Sequence, residues 1–226
     1  MSLTLPRLYA IADRGTLDKR GVSVGEFVRE LRNAGVTLLQ YRDKDGVPQQ
    51  VLRAAAEISA VFAGVDATLV MNDRADLAVL AGWSAVHVGQ RDLLPEDVKV
   101  VLRTIPHPSQ EREGWATRYR GGLVGVSTHV VEQVISADTG AADYVAVGPV
   151  FGTSTKLNAE PVVGLEGVRR ARALTAKPLV AIGGITLETA RSVVEAGADS
   201  VAVIGGMFVE GRTVGEVARD FLEILR

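Results

Sequence analysis

The sequence predicts a single (β/α)8 TIM barrel, an α/β fold built on one parallel sheet. Three observations carry this. Short apolar, β-branched runs recur eight times, helical patterns separate them, and residues of unusual chemistry follow the runs at one end. At 226 residues and 47% hydrophobic content, the chain suits one barrel domain spanning 1–226, with no low-complexity segment or linker to divide it.

The runs, in order, are LYAIAD from Leu8, LLQYR from Leu38, TLVMND from Thr68, AVHVGQ from Ala85, LVGVST from Leu123, YVAVGPV from Tyr144, LVAIGG from Leu179 and SVAVIGG from Ser200. Nearly continuous apolar character reads as strands buried on both faces, as a parallel sheet covered by helices requires. The last helical pattern is the clearest, with Val214, Val217, Ala218, Phe221, Leu222 and Leu225 on one face. Gly35, Gly82 and Gly197 each stand a few residues before a strand, where glycine ends the preceding helix. One irregular stretch, His107 to Gly122, lies between the fourth helix and the fifth strand. It is expected on the N-terminal face of the barrel, as a solvated insertion or a subunit contact.

Composition narrows the function. A net charge of −2 provides no basic field for nucleic acid or an anionic membrane. No apolar run approaches the roughly 18 residues of a membrane span, and no signal peptide opens the chain, so a soluble, cytoplasmic protein is expected. Homo-oligomer formation stays open. The absence of cysteine excludes disulfides, thiolate nucleophiles and cysteine-based zinc sites. His87, His107 and His129 lack the i, i+4 pairing of a helical zinc site.

The polar residues gather at the C-terminal strand ends, where barrel active sites are built. They include Asp13 after the first run, Gln90 after the fourth, and the groups that follow. Gln40, Arg42 and Lys44 alternate with Tyr41 and Asp43, so the period of two puts them on one face. Amide, guanidinium and ammonium donors in a row suit a polyanion such as pyrophosphate, against the plainer reading of a solvated strand end. Asp73 and Asp92 end adjacent strands, as a hard divalent cation sharing its shell with water and phosphate would need; magnesium is the natural candidate. Asp73 could instead cap the helix that follows. The pairs Gly183-Gly184 and Gly205-Gly206 end the last two strands, where barrels commonly bind phosphate, although tight turns alone would also explain them.

The stretch FGTSTKLNAEPVVG, long for a βα loop, reads as a lid carrying Thr153, Thr155 and Lys156. Its lysine could follow charge building on a leaving pyrophosphate. His129 follows Ser127 without an assignable acidic partner, so a Ser/His/Asp triad lacks support, though His129 could act as acid or base. His87 lies inside a strand and reads as a packed polar residue.

Taken in order, LYAIAD, QYRDK, MNDRADLA, AVHVGQRDL, GVSTH, DYVAVGPVFGTSTK, AIGGIT and AGADSVAVIGG resemble the thiamine-phosphate synthase family over almost the whole chain. The resemblance implies a transferase of thiamine biosynthesis. Such enzymes join 4-amino-5-hydroxymethyl-2-methylpyrimidine diphosphate to thiazole phosphate, giving thiamine phosphate and pyrophosphate with Mg2+. It implies Gln40, Arg42, Lys44 and Asn72 for the pyrimidine diphosphate and Asp73 and Asp92 for magnesium. Ser127 would contact pyrimidine or pyrophosphate, Thr153 and Thr155 the thiazole phosphate side, and Lys156 the pyrophosphate. Gly184, Gly205 and Gly206 would hold the thiazole phosphate. Lys156, Ser127 and Arg42 are the implied catalytic groups; with Mg2+, the arginine and lysine would stabilise the departing pyrophosphate, which leaves a pyrimidine carbocation behind.

Two departures stand out: Gly205 where relatives often have Ser, and Gly152 in place of a frequent Pro. A homologous thiazole tautomerase would use His129, but members of that branch tend to lack the full diphosphate and metal set present here. A non-catalytic thiamine-phosphate-binding barrel would have no need of Lys156.

Overall fold

The structure, a computed structural model, describes residues 3–104, 122–153 and 161–226. Eight parallel strands close a barrel in chain order: β1 (Leu8–Asp13), β2 (Leu38–Arg42), β3 (Thr68–Asn72), β4 (Ala85–Val88), β5 (Leu123–Thr128), β6 (Tyr144–Val147), β7 (Leu179–Ile182) and β8 (Ser200–Val203). Each apolar run of the sequence contains one of these strands. Closure comes from β1 pairing with β8, with Leu8 opposite Val201 and Ala10 opposite Val203.

The helices cover the outside: α1 (Arg14–Arg20), α2 (Val24–Ala34), α3 (Pro48–Val61), α4 (Ala75–Leu80), α5 (Pro95–Leu102), α6 (Val131–Thr139), α7 (Gly164–Leu174), α8 (Leu187–Glu195) and α9 (Val214–Ile224). Alternate strand residues face two different cores. One set, including Leu39, Met71, Val86 and Val124, packs outward against the helices. The other, including Tyr9, Leu38, Val70, Tyr144 and Val180, fills the barrel interior, as the period of two demands.

In α9 the residues Val214, Val217, Ala218 and Phe221 are buried, as their spacing predicts, with Leu225 buried just past the helix end. The chain ends meet here. α9 packs beside α2, and Glu30 accepts a 2.7 Å hydrogen bond from the Gly215 N–H in the first turn of α9. Gly35, Gly82 and Gly197 have φ of 95°, 72° and 112°, the left-handed region in which glycine ends a helix without strain.

Among the described residues strict alternation fails once. An extra helix, α1, starts directly after β1, because Asp13 accepts from the Thr16 N–H at 2.9 Å and caps the turn. Only Leu17 of its seven residues is buried, so no apolar stripe marks it in the sequence. At the N-terminal face, Asp143 accepts from Val124 N and Lys99, and Asp199 from Leu179 N and Arg172, each within 2.8 Å. These bonds tie strand starts to helices. Of the expected insertion, His107 to Gly122, all but Gly122 lies outside the described residues. Among the described residues no helix is long and apolar enough to cross a membrane.

Candidate active site

The C-terminal rim divides into two halves. Over β1 to β4 it is charged. The register sets Asp13 directly opposite Arg42, and the two form an ion pair with side chains only 6% and 16% exposed. Asp13 therefore does two things, capping α1 and aiming the guanidinium. Next to it, Lys44 Nζ lies 2.7 Å from Asp73 Oδ2. β2 ends at Arg42, so Lys44 stands past the strand and reaches the rim through this contact, not through the strand's face.

Asp73 has φ of 60°, the one non-glycine residue among those described with positive φ. Such a conformation is sparsely populated and is held in place here by the Asp73 N–H bond to the His87 carbonyl at 2.8 Å. The capping reading of Asp73 finds no support: the residue at the start of α4 is Arg74, without a side-chain cap. Asp73 instead lies beside Asp92, whose Oδ2 accepts from Gly89 N at 2.8 Å. Burial, then the neighbouring Asp73, push the Asp92 carboxyl above its usual range; the Gly89 N–H and Lys44 offset this only in part.

Over β5 to β8 the rim is a cavity of about 470 Å³. Of the residues singled out from sequence, Ser127, Thr153, Gly184, Gly205, Gly206 and His129 all line it. Part of its lining is apolar, including Ala146, Ile182, Ala202 and Ile204. Glycine is obligatory at two of these places. Gly184 has φ of 64°, and a Cβ there would lie 2.4 Å from the Gly152 carbonyl oxygen; at Gly206 it would lie 2.3 Å from that of Ile185. The three loops after β6, β7 and β8 thus touch backbone to backbone, and a short 3-10 turn over Gly205–Met207 follows β8.

Gln40 lies beneath the rim. It is 2% exposed and its amide donates to Tyr9 Oη at 2.8 Å inside the barrel. Asn72 ends β3 opposite His87. None of Gln40, Arg42, Lys44, Asn72, Asp73 and Asp92 lines the cavity; apart from the buried Gln40 they form the neighbouring half of the mouth. Thr155 and Lys156 lie outside the described residues. His129 donates from Nδ1 to the Gly148 carbonyl at 2.6 Å, so backbone orients its ring, and among the described residues no triad forms.

The sequence reading missed Arg20. It ends α1, its guanidinium sits 5.3 Å from the Phe208 ring centroid, and it lines the cavity beside the β8 turn. Phe208 in turn stacks on Phe27. Nothing in the residues near Arg20 signals this, because the aromatic partner lies almost the whole chain away.

Comparison with known proteins decides the family. A family model described as thiamine monophosphate synthase matches residues 8–105 and 113–207. The chain belongs to the thiamine monophosphate synthase family. It is 46% identical over 225 residues to a thiamine-phosphate synthase of Koribacter versatilis, covering 99% of this chain and 97% of that one. A thiamine-phosphate synthase of Methanoregula boonei is 38% identical, covering 96% and 91%. Among solved structures, thiamine phosphate pyrophosphorylase from Pyrococcus furiosus superposes with a TM-score of 0.77 at 27% identity, covering 97% of this chain and 95% of that one. As a member of this synthase family the chain is an enzyme, a transferase. No relative named here is a tautomerase or a non-catalytic binding barrel.

Proposed function

We propose that the chain condenses 4-amino-5-hydroxymethyl-2-methylpyrimidine diphosphate with thiazole phosphate, giving thiamine phosphate and pyrophosphate. The observation that carries this reading is the divided mouth. A half bearing Arg42, Lys44, Asp73 and Asp92 adjoins a half with an apolar cavity and a glycine-lined end, and Ser127 ends the strand that follows β4. A diphosphate fits the first half and a ring with a phosphate fits the second.

The residues fit a divalent cation in one place. Asp73 and Asp92 set two carboxylates side by side, and burial together with the neighbouring Asp73 raises the Asp92 carboxyl. Among the described residues no group of three or more His, Cys, Asp and Glu gathers, so a cation here would take two carboxylates from the protein and the remainder from water and phosphate oxygens. Mg2+ bound there would supply positive charge to the leaving pyrophosphate.

The other steps belong to side chains. Arg42, fixed by Asp13, offers a guanidinium edge to the diphosphate. Lys44, with half its side chain exposed, can turn from Asp73 to a phosphate oxygen. Asn72 would flank the pyrimidine, with Gln40 held below the rim by its bond to Tyr9, and Lys156 from the lid would follow the pyrophosphate as it departs. Thr153, Thr155, Gly184, Gly205 and Gly206 would receive the thiazole phosphate, with backbone N–H groups as donors. The apolar walls keep water from the pyrimidine cation, so the thiazole nitrogen attacks instead.

The test is direct. Purified protein with both substrates and Mg2+ should yield thiamine phosphate and pyrophosphate in equal amounts. No product, with both substrates recovered intact, would end the reading.

A further inference from the structure

Inside the barrel five side chains from five strands form one unbroken chain of hydrogen bonds. Gln40 Nε2 donates to Tyr9 Oη at 2.8 Å, and Tyr9 Oη lies 3.0 Å from Tyr144 Oη. Tyr144 Oη lies 3.0 Å from His87 Nδ1, and His87 Nε2 lies 2.8 Å from Ser127 Oγ. Tyr9 and Tyr144 are each 1% exposed, so water cannot replace a missing partner. The space is made for this purpose: a Cβ at Gly125 would lie 1.9 Å from the Tyr144 ring.

A phenol oxygen in such a chain has one proton to give. Burial raises the pKa of both phenols far above the ordinary value, so both keep that proton. Because Gln40 donates to Tyr9, the Tyr9 proton goes to Tyr144. The Tyr144 proton then goes to His87 Nδ1, and His87 must carry its own proton on Nε2. Running the chain backwards would leave the Tyr9 proton facing the Gln40 amide donor, a buried clash of two donors.

We propose that this relay fixes His87 as the Nε2–H tautomer and makes Ser127 Oγ its acceptor, so that the Ser127 hydroxyl proton is left pointing at the substrate. Tyr9, Tyr144 and His87 are thus positioning residues, acting through Ser127, and Gln40 sets the direction of the whole chain. The role given to Ser127 rests on the synthase reading above; the tautomer does not. Ser127 becomes a fixed donor, while its backbone carbonyl is held separately by Gln90 Nε2 at 2.6 Å.

Nitrogen-15 NMR of histidine-labelled protein in mildly alkaline buffer reads the tautomer without any substrate, with His87 assigned by its loss in His87→Gln. In the unmodified chain the Nε2–H form should exceed the other by about tenfold or more, the scale of one buried hydrogen bond left unmade. Gln40→Leu removes the donor that sets the direction. Tyr9 can then point either way, and the Nε2–H preference at His87, three hydrogen bonds away, should fall to within about threefold. Tyr144→Phe, which keeps the ring, should bring the two tautomers to within about threefold, since Ser127 can serve Nε2 either way. A dominant Nδ1–H form in the unmodified chain, or an unaltered ratio in either variant, overturns the relay. Absence of thiamine phosphate formation would leave these spectra unchanged, so the two readings fail separately.

Discussion

Asp13 and Arg42 face each other across the β1–β2 pair, and the carboxylate that begins α1 is also the one that holds the guanidinium. One residue therefore serves both folding and binding. Substitutions can separate the two duties. Asp13→Asn keeps an oxygen to cap Thr16 but loses the charge, so kcat/KM for the pyrimidine diphosphate should fall about tenfold. Asp13→Ala loses the cap as well and should be about 1 kcal/mol less stable than Asp13→Asn. Denaturant unfolding beside steady-state kinetics checks this; equal stabilities would remove the capping role.

The contact between Asp73 and Asp92 gives a pH dependence whose sign follows from linkage. A raised folded-state pKa means that the native protein binds the Asp92 proton more tightly than the unfolded chain does. This contribution is fully favourable below the ordinary value of about 4 and is lost as pH rises through the raised one. Asp92→Asn should therefore melt higher than the unmodified chain in metal-free buffer at neutral pH, with the gap closing below about pH 4. Added Mg2+ should raise the melting temperature of the unmodified chain and not that of the variant. A variant that melts lower at neutral pH, or responds equally to Mg2+, would contradict the assignment.

Arg20 over Phe208 places a cation at the glycine-lined end of the cavity. Replacing it with Met keeps the packing on the ring and removes the charge. KM for thiazole phosphate should rise about fivefold, the scale of a solvent-screened ion pair, with kcat and the KM for the pyrimidine diphosphate little changed. A lower kcat with unchanged KM would place Arg20 outside phosphate recognition.

Gly184 combines positive φ with a backbone oxygen where a Cβ would be. Gly184→Ala should cost about 3 kcal/mol in stability, from the left-handed conformation and the displaced loop together. Gly152→Ala, with nothing within 4 Å of its added carbon, should stay within about 0.5 kcal/mol of the parent. Urea unfolding of the two variants side by side makes the comparison.

The strands were legible because burial on both faces leaves a dense apolar record, and the rim was legible because each strand must end where its polar residues begin. What sequence could not supply was partnership. Asp13 was visible at a strand end, yet its contact with Arg42 depends on the β1–β2 register. His87 reads as a packed polar residue, which it is, at 8% exposure; that it joins Tyr144 to Ser127 needs three strands brought side by side. Gln40 reads as a polyanion donor on one face with Arg42 and Lys44, but its amide donates to Tyr9 inside the barrel. α1 escaped notice because it depends on a cap and a glycine end rather than on an apolar stripe.

Leu8 finds its second neighbour only in Val201. During synthesis, the free edge of β1 must wait until nearly the entire chain has emerged before anything can cover it. That interval exposes unpaired amides and carbonyls to other nascent chains. Assistance by a chaperone matters most in that interval, and slowing translation before β8 should lower the yield of native enzyme.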